Sequence, residues 1–160
     1  QLENEVQLQT LDDASRQALL QETRQAGQQF HKLDARHEKF LCERLDHASQ
    51  ALEGDDQARQ SLLEALPVNL EKRLEICLQM EIAAGIDSPE EFKEARMRFQ
   101  VARLADAMHH QLEEPRTPQQ QLHDLQMAWY LSGPVPVSAQ AGLEARFARA
   151  TACSGPDTGS

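Results

Sequence analysis

The chain has 160 residues and a formal net charge of −10, with one Trp, one Tyr and five Phe. Gln, Leu, Ala, Glu and Arg dominate, the make-up of helical bundles and coiled coils, at a length that allows one domain with a real core or a small domain plus an extended helix. The acidic balance opposes non-specific nucleic-acid binding, the three cysteines are too far apart for a disulfide framework or a paired-cysteine zinc site, and no apolar run reaches the length of a membrane span.

Cys42, Cys77 and Cys153 form no CxxC, which suits a reducing cytoplasm, and Cys42 and Cys77 fall in helical patterns as small core residues. The chain opens on Gln1 and not on Met, so a fragment of something longer is expected. No signal peptide is visible.

Leu2, Val6, Leu8 and Leu11 sit among Gln and Glu and suit the end of a helix, after which Asp12-Asp13 offers a new start. From there to Glu53 no Pro occurs and Gly27 is the only Gly. Apolar or small residues recur at Leu19, Thr23, Ala26, Phe30, Leu33, Phe40, Leu41, Leu45, Ala48 and Leu52, with a slip near His37. This predicts a long amphipathic helix or coiled-coil arm: the run of about 40 residues from Asp13 to Glu53 would extend roughly 60 Å at 1.5 Å per residue, within an arm over 1–53. Whether it folds back at Gly27, or bends at His37, periodicity does not decide.

Gly54-Asp55-Asp56 breaks the pattern and caps a short helix to Leu66. Pro67-Val68-Asn69 is the next punctuation, and a helix follows from about Leu70 to Ala84, stopped by Gly85 with Ile86 as its hydrophobic contact. The short link Ile86-Asp87 implies an antiparallel hairpin with the helix over Ser88–Leu112. Ser88, Pro89 and Glu91 read as a capping box. At about 100° per residue, Met97, Val101, Leu104, Met108 and Leu112 form one apolar stripe, and Phe92, Ala95, Phe99 and Ala102 a second on nearly the opposite side. A helix apolar on two sides is expected at the centre of a bundle.

Lys93, Arg96, Gln100 and Arg103 form a cationic arc between the stripes. Two readings compete: a phosphate or acidic-partner site, or internal pairing with carboxylates while the stems snorkel around the core. The second is favoured, because a functional patch usually needs a larger basic surface and Glu81 is placed to pair with Lys93 or Arg96.

Glu113–Pro118 reads as a loop, Thr117 as a cap and Pro118 as the start of a helix to about Leu131 with Leu122, Leu125 and Trp129 on its buried side. Ser132–Pro136 stops it, and Ser138 caps a last helix carrying Leu143, Phe147 and Ala150. Residues 152–160 have the composition of a disordered tail. The fold class is all-α: an arm over 1–53 and a helical bundle over 54–151.

The stretch Trp129–Pro136, WYLSGPVP, followed by Arg146-Phe147, resembles the repeat of the bacterial family named domain of unknown function 349. That repeat runs from a Trp-containing helix through Gly-Pro-Val-Pro into a helix with Arg-Phe. The text LEICLQMEIAAGIDSPEEFKEARMRFQVARLADAM is similar to the C-terminal part of its proteobacterial members. The resemblance spans about His31 to Ala150 and implies tandem helical repeats in a larger protein, with no chemistry to carry over. The chain departs from it at Leu143 and Glu144, where the family often has an aromatic.

Asp34-x-x-His37 and Asp106-x-x-His109 have the spacing of helical di-metal sites, but those prefer Glu-x-x-His and need further inward carboxylates. Asp106 and His110 also fit a surface i, i+4 pair. Cys42 and His47 lie on different faces of one helix and make no nucleophile–base pair. No phosphate loop or nucleophile elbow occurs. The expectation is a non-enzyme without cofactor or metal.

The favoured function is a cytoplasmic scaffold module that binds another protein through its arm, with Phe30 and Leu33 on the arm's apolar side. The alternative is nucleic-acid-associated regulation through Lys93, Arg96, Arg98 and Arg103. Trp129 is expected in the core, and Tyr130 stays open as a contact residue.

Overall fold

Capping chemistry sets most of the helix ends. The computed structural model describes residues 1–28, 34–109 and 116–154, and among these the regular structure is helical throughout. Helix α1 spans Leu2–Leu8 and α2 spans Asp13–Gly27, the latter capped by the Asp12 carboxylate, which accepts from the Ser15 N–H at 2.8 Å. Helix α3 spans Ala35–Leu52 and starts on Asp34, whose Oδ1 accepts from the Arg36 and His37 N–H groups at 3.0 and 3.2 Å.

The long N-terminal arm is therefore corrected. The 13–53 run is two helices, α2 ending at Gly27 and α3 beginning at Ala35. Their apolar positions share one core: Leu20 from α2 and Ala48, Ala51 and Leu52 from α3 pack with Leu2 and Val6 of α1. A straight arm and a folded-back pair have the same periodicity, and burial of this stripe against its own chain favours the second.

Gly54 takes φ +109°, which a side chain would strain, and the Asp55 N–H reaches back to the Gln50 carbonyl at 3.0 Å. Asp55 in turn caps α4, Asp56–Ala84, accepting from the Ala58 N–H at 3.0 Å. The expected break at Pro67 is absent, since α4 runs through it. Proline removes the bond to the Leu63 carbonyl, but Pro67 and Leu63 are both exposed, so water can satisfy that oxygen while the inner face stays packed through Leu62 and Leu66. Gly85, at φ +67°, ends α4 in a Schellman motif, with Ile86 N–H on the Glu81 carbonyl at 3.0 Å and Gly85 N–H on that of Ile82 at 3.1 Å.

A 3₁₀ turn, Glu90–Phe92, precedes α5, Lys93–His109. Ser88 does not cap it, because its hydroxyl donates to Glu81 Oε2 at 2.5 Å. Helix α6, Pro118–Tyr130, opens with a capping box: Gln120 N–H bonds Thr117 Oγ1 at 3.2 Å and Thr117 N–H bonds Gln120 Oε1 at 3.0 Å. Helix α7 spans Val137–Cys153 and starts one residue before Ser138.

The chain divides into two compact units, Gln1–Arg73 with Tyr130–Ala141, and Leu74–Trp129 with Gly142–Ser160. The expected division after Glu53 coincides with neither boundary. In the first unit the Gly-Pro-Val-Pro turn is held on three sides. Gln7 donates to the Val135 carbonyl at 3.1 Å and accepts from the Val137 N–H at 3.0 Å, Asn69 donates to the Pro134 carbonyl at 2.8 Å, and Arg73 donates to the Ser132 hydroxyl at 2.7 Å. Val135, 1% exposed, is the apolar plug of that turn.

In the second unit Trp129 stacks on Phe147, ring centroids 4.2 Å apart and planes within 8°. Cys77, Met80, Leu143 and Ala150 are buried in the same unit. Trp129 is thus the core anchor expected, and Leu143 is a core residue beside it in this unit.

Candidate interaction surface

Helix α5 is not the centre of a bundle. It buries no residue, and from Gln100 to His109 every position is exposed. Met97, Val101, Leu104 and Met108 are 65, 60, 68 and 77% exposed. The opposite face is the attached one. Phe92, Arg96 and Phe99 are half-buried, and the Arg146 guanidinium lies 4.3 Å over the Phe92 ring. The two-stripe pattern was legible, but one stripe faces the unit and the other faces solvent. Four large apolar side chains aligned on one exposed helix face make a patch of the kind that marks interaction sites.

The cationic arc is largely engaged with its own helix ends. Lys93 pairs with Glu90, and Arg98 with Glu94, both along the helix surface. The hydrogen bond from Lys93 to Glu90 raises the Lys93 pKa, the bond from Arg98 to Glu94 raises that of Arg98, and the same bond lowers that of Glu94. Arg96 donates to the Ile86 carbonyl at 2.5 Å and to Ser88 Oγ at 3.1 Å, locking the segment between α4 and α5. Arg103 sits 5.9 Å over the Phe99 ring.

Glu81 is the internal mate of a cation, as expected, but that cation is Arg146 and not Lys93 or Arg96. Glu81 reaches Arg96 only through the shared Ser88 hydroxyl. Sequence separation hid the pair, because nothing local links position 81 to position 146.

Of the other residues singled out, Tyr130 is 58% exposed, and Phe30 and Leu33 lie outside the described residues. Asp34 and His37 make an N-cap with a ring contact from His37 Nδ1. Asp106 and His109 are exposed, and His110 lies outside the described residues. Cys42 is half-buried and Cys153 exposed. Among the described residues no three His, Cys, Asp or Glu side chains converge on a metal-sized site, and no helix is long and apolar enough to cross a membrane.

A groove of about 290 Å³ opens among α1, α2 and α3, lined by Leu2, Ala26, Leu41, Leu45 and Ala48. Its charged groups include Glu3 and Arg44, and these bond each other at 2.5 and 2.7 Å. The two charges thus offset each other within the groove wall.

Comparison with family models, with curated proteins and with solved structures finds no match.

Proposed function

We propose that this chain is a non-catalytic helical interaction module that binds protein, acting through α5. The observation behind this reading is the open stripe of Met97, Val101, Leu104 and Met108. An amphipathic helix that turns a row of four apolar side chains to water suits one half of a helix-in-groove or helix-on-helix contact that a partner completes. This reading puts the interface on α5 in preference to the N-terminal stretch, where Leu2, Val6, Leu20, Ala48, Ala51 and Leu52 are buried in a core of their own. The cytoplasmic setting, and the resemblance to tandem helical repeats, belong to the same proposal.

The nucleic-acid alternative has less behind it. Lys93, Arg96 and Arg98 already have partners, and the whole chain is acidic. The test is affinity capture with the wild-type chain and with Val101→Glu/Leu104→Glu, with and without nuclease and at rising salt. The proposal expects a protein retained by the wild type after nuclease and lost from the variant. Retention that vanishes with nuclease, and weakens steeply with salt, would favour the arc.

A further inference from the structure

The chain has four methionines, and the fold divides them. Met80 is 0% exposed and Met127 is half-buried in the second unit, where a flexible thioether fills gaps in a core. Met97 and Met108 are 65 and 77% exposed, and both stand on the open stripe of α5. About three helical turns separate them, roughly 16 Å at 1.5 Å per residue, with Val101 and Leu104 between. We propose that Met97 and Met108 are a paired oxidation site, through which a peroxide switches off the α5 surface. The switching half of this rests on α5 being the interaction surface.

The reaction needs only the exposed sulfur and the oxidant. A lone pair of the thioether attacks one oxygen of hydrogen peroxide, the O–O bond breaks and an S–O bond forms. The other oxygen departs with the protons as water, so the sulfur is oxidised by two electrons and the peroxide reduced by the same two. A thioether has no proton to lose, so no neighbouring base is required, and access to the oxidant sets the order of reaction. Met108 and Met97 lead, Met127 follows and Met80 is protected.

Placement gives the product its effect. Each sulfoxide turns an apolar side chain into a polar one. On α5 the two sulfoxides stand at both ends of the stripe and leave Val101 and Leu104 as its apolar remainder. A partner that covers the stripe must then strip water from both oxygens, at a cost unless it supplies donors to them. The fold is spared, because α5 buries no residue, whereas oxidation of Met80 would put a polar oxygen into the core. Peroxide also reaches thiols, but Cys42 belongs to α3, Cys77 to α4 and Cys153 to α7, so none lies on α5. Sulfoxide reductases restore the thioether, which makes the change reversible.

The test treats the full chain with hydrogen peroxide, reduces its thiols afterwards and maps each methionine by peptide mass. Met97 and Met108 should become sulfoxides several-fold faster than Met80, with circular dichroism unchanged. Two readouts follow the surface: retention on a phenyl matrix, which needs no partner, and the affinity capture. Both should fall several-fold on oxidation and recover with sulfoxide reductase. Both should persist under peroxide in Met97→Leu/Met108→Leu, which keeps every cysteine. Met80 oxidised as fast as the α5 pair overturns the site. An equal loss in the leucine variant overturns the switch, because another group then carries the loss. Either readout undiminished in the doubly oxidised chain also overturns the switch, and if Val101→Glu/Leu104→Glu still abolishes capture, the α5 reading stands. Capture indifferent to Val101 and Leu104 removes the α5 reading, and the switch with it.

Discussion

Arg146 meets Glu81 through two parallel hydrogen bonds, Nε to Oε1 at 2.8 Å and Nη2 to Oε2 at 2.9 Å, across 65 residues of sequence. The side chains are 11 and 3% exposed, and Ser88 adds a third donor to the same carboxylate. The remaining guanidinium nitrogen, Nη1, is buried with no hydrogen-bond partner, while the group's face rests on Phe92. The pair joins α7 to the end of α4 and, through Ser88 and Arg96, to the base of α5. With no open face toward solvent, this is an architectural device.

Removing one half of such a pair leaves the other charge buried. Glu81→Ala or Arg146→Ala should each cost about 3–5 kcal/mol. The double change Glu81→Met/Arg146→Met should cost less than either, since no charge is then stranded. Urea unfolding monitored by circular dichroism checks this, and a double variant as unstable as the two singles combined would show that the pair is not what matters there.

Gly133 is held for a different reason. A Cβ built on it would lie 2.5 Å from Asn69 Nδ2, the atom that donates to the Pro134 carbonyl. Gly133→Ala must therefore push Asn69 off its bond, at an expected cost of about 1–3 kcal/mol. In Asn69→Ala the obstacle is gone, so adding Gly133→Ala should cost much less than it does alone. Additive costs in a thermal-melt cycle would contradict this coupling.

The local punctuation was legible in the sequence because its causes are local. Gly54, Gly85, Thr117 and the Ser132–Pro136 stop each act within a few residues. Asp34 and His37 looked like a metal spacing because i, i+3 is also the reach of an N-cap to its first turn. What the sequence could not show was which stripe each helix buries. Met97/Val101/Leu104/Met108 and Phe92/Phe99 are equally apolar, and the choice between them was made by Arg146, Ser88 and Glu81 at the base of α5. The same ambiguity made the 13–53 run read as an arm when it folds on itself.

Acid should loosen the α1–α2 corner. The Glu5 carboxylate accepts from the Leu11 N–H at 2.6 Å and the Thr10 hydroxyl at 2.8 Å. The Leu11 bond above all, helped by Thr10 and the nearby Arg16 charge, holds its pKa below the ordinary glutamate value against the opposing effect of burial. Asp12 is lowered by its bonds to Ser15. A depressed folded-state pKa means the stabilisation is complete above the unfolded-state value and is lost as pH falls from there through the folded-state value. The melting temperature should thus fall on the acid side of the ordinary carboxylate range, and Glu5→Gln should flatten that fall while lowering stability at neutral pH. An identical acid slope in Glu5→Gln would assign the acid sensitivity elsewhere.

The exposed stripe of α5 makes the most direct contrast with the core. Leu62 is 2% exposed, and Leu62→Ala should cost about 2–5 kcal/mol through lost transfer energy and the cavity left behind. Leu104 is 68% exposed, and Leu104→Gln should stay within about 0.5 kcal/mol of the wild type in dilute solution. A large loss in the dilute Leu104→Gln protein would mean that the folded chain covers this stripe itself, and the interaction surface would then have to lie elsewhere.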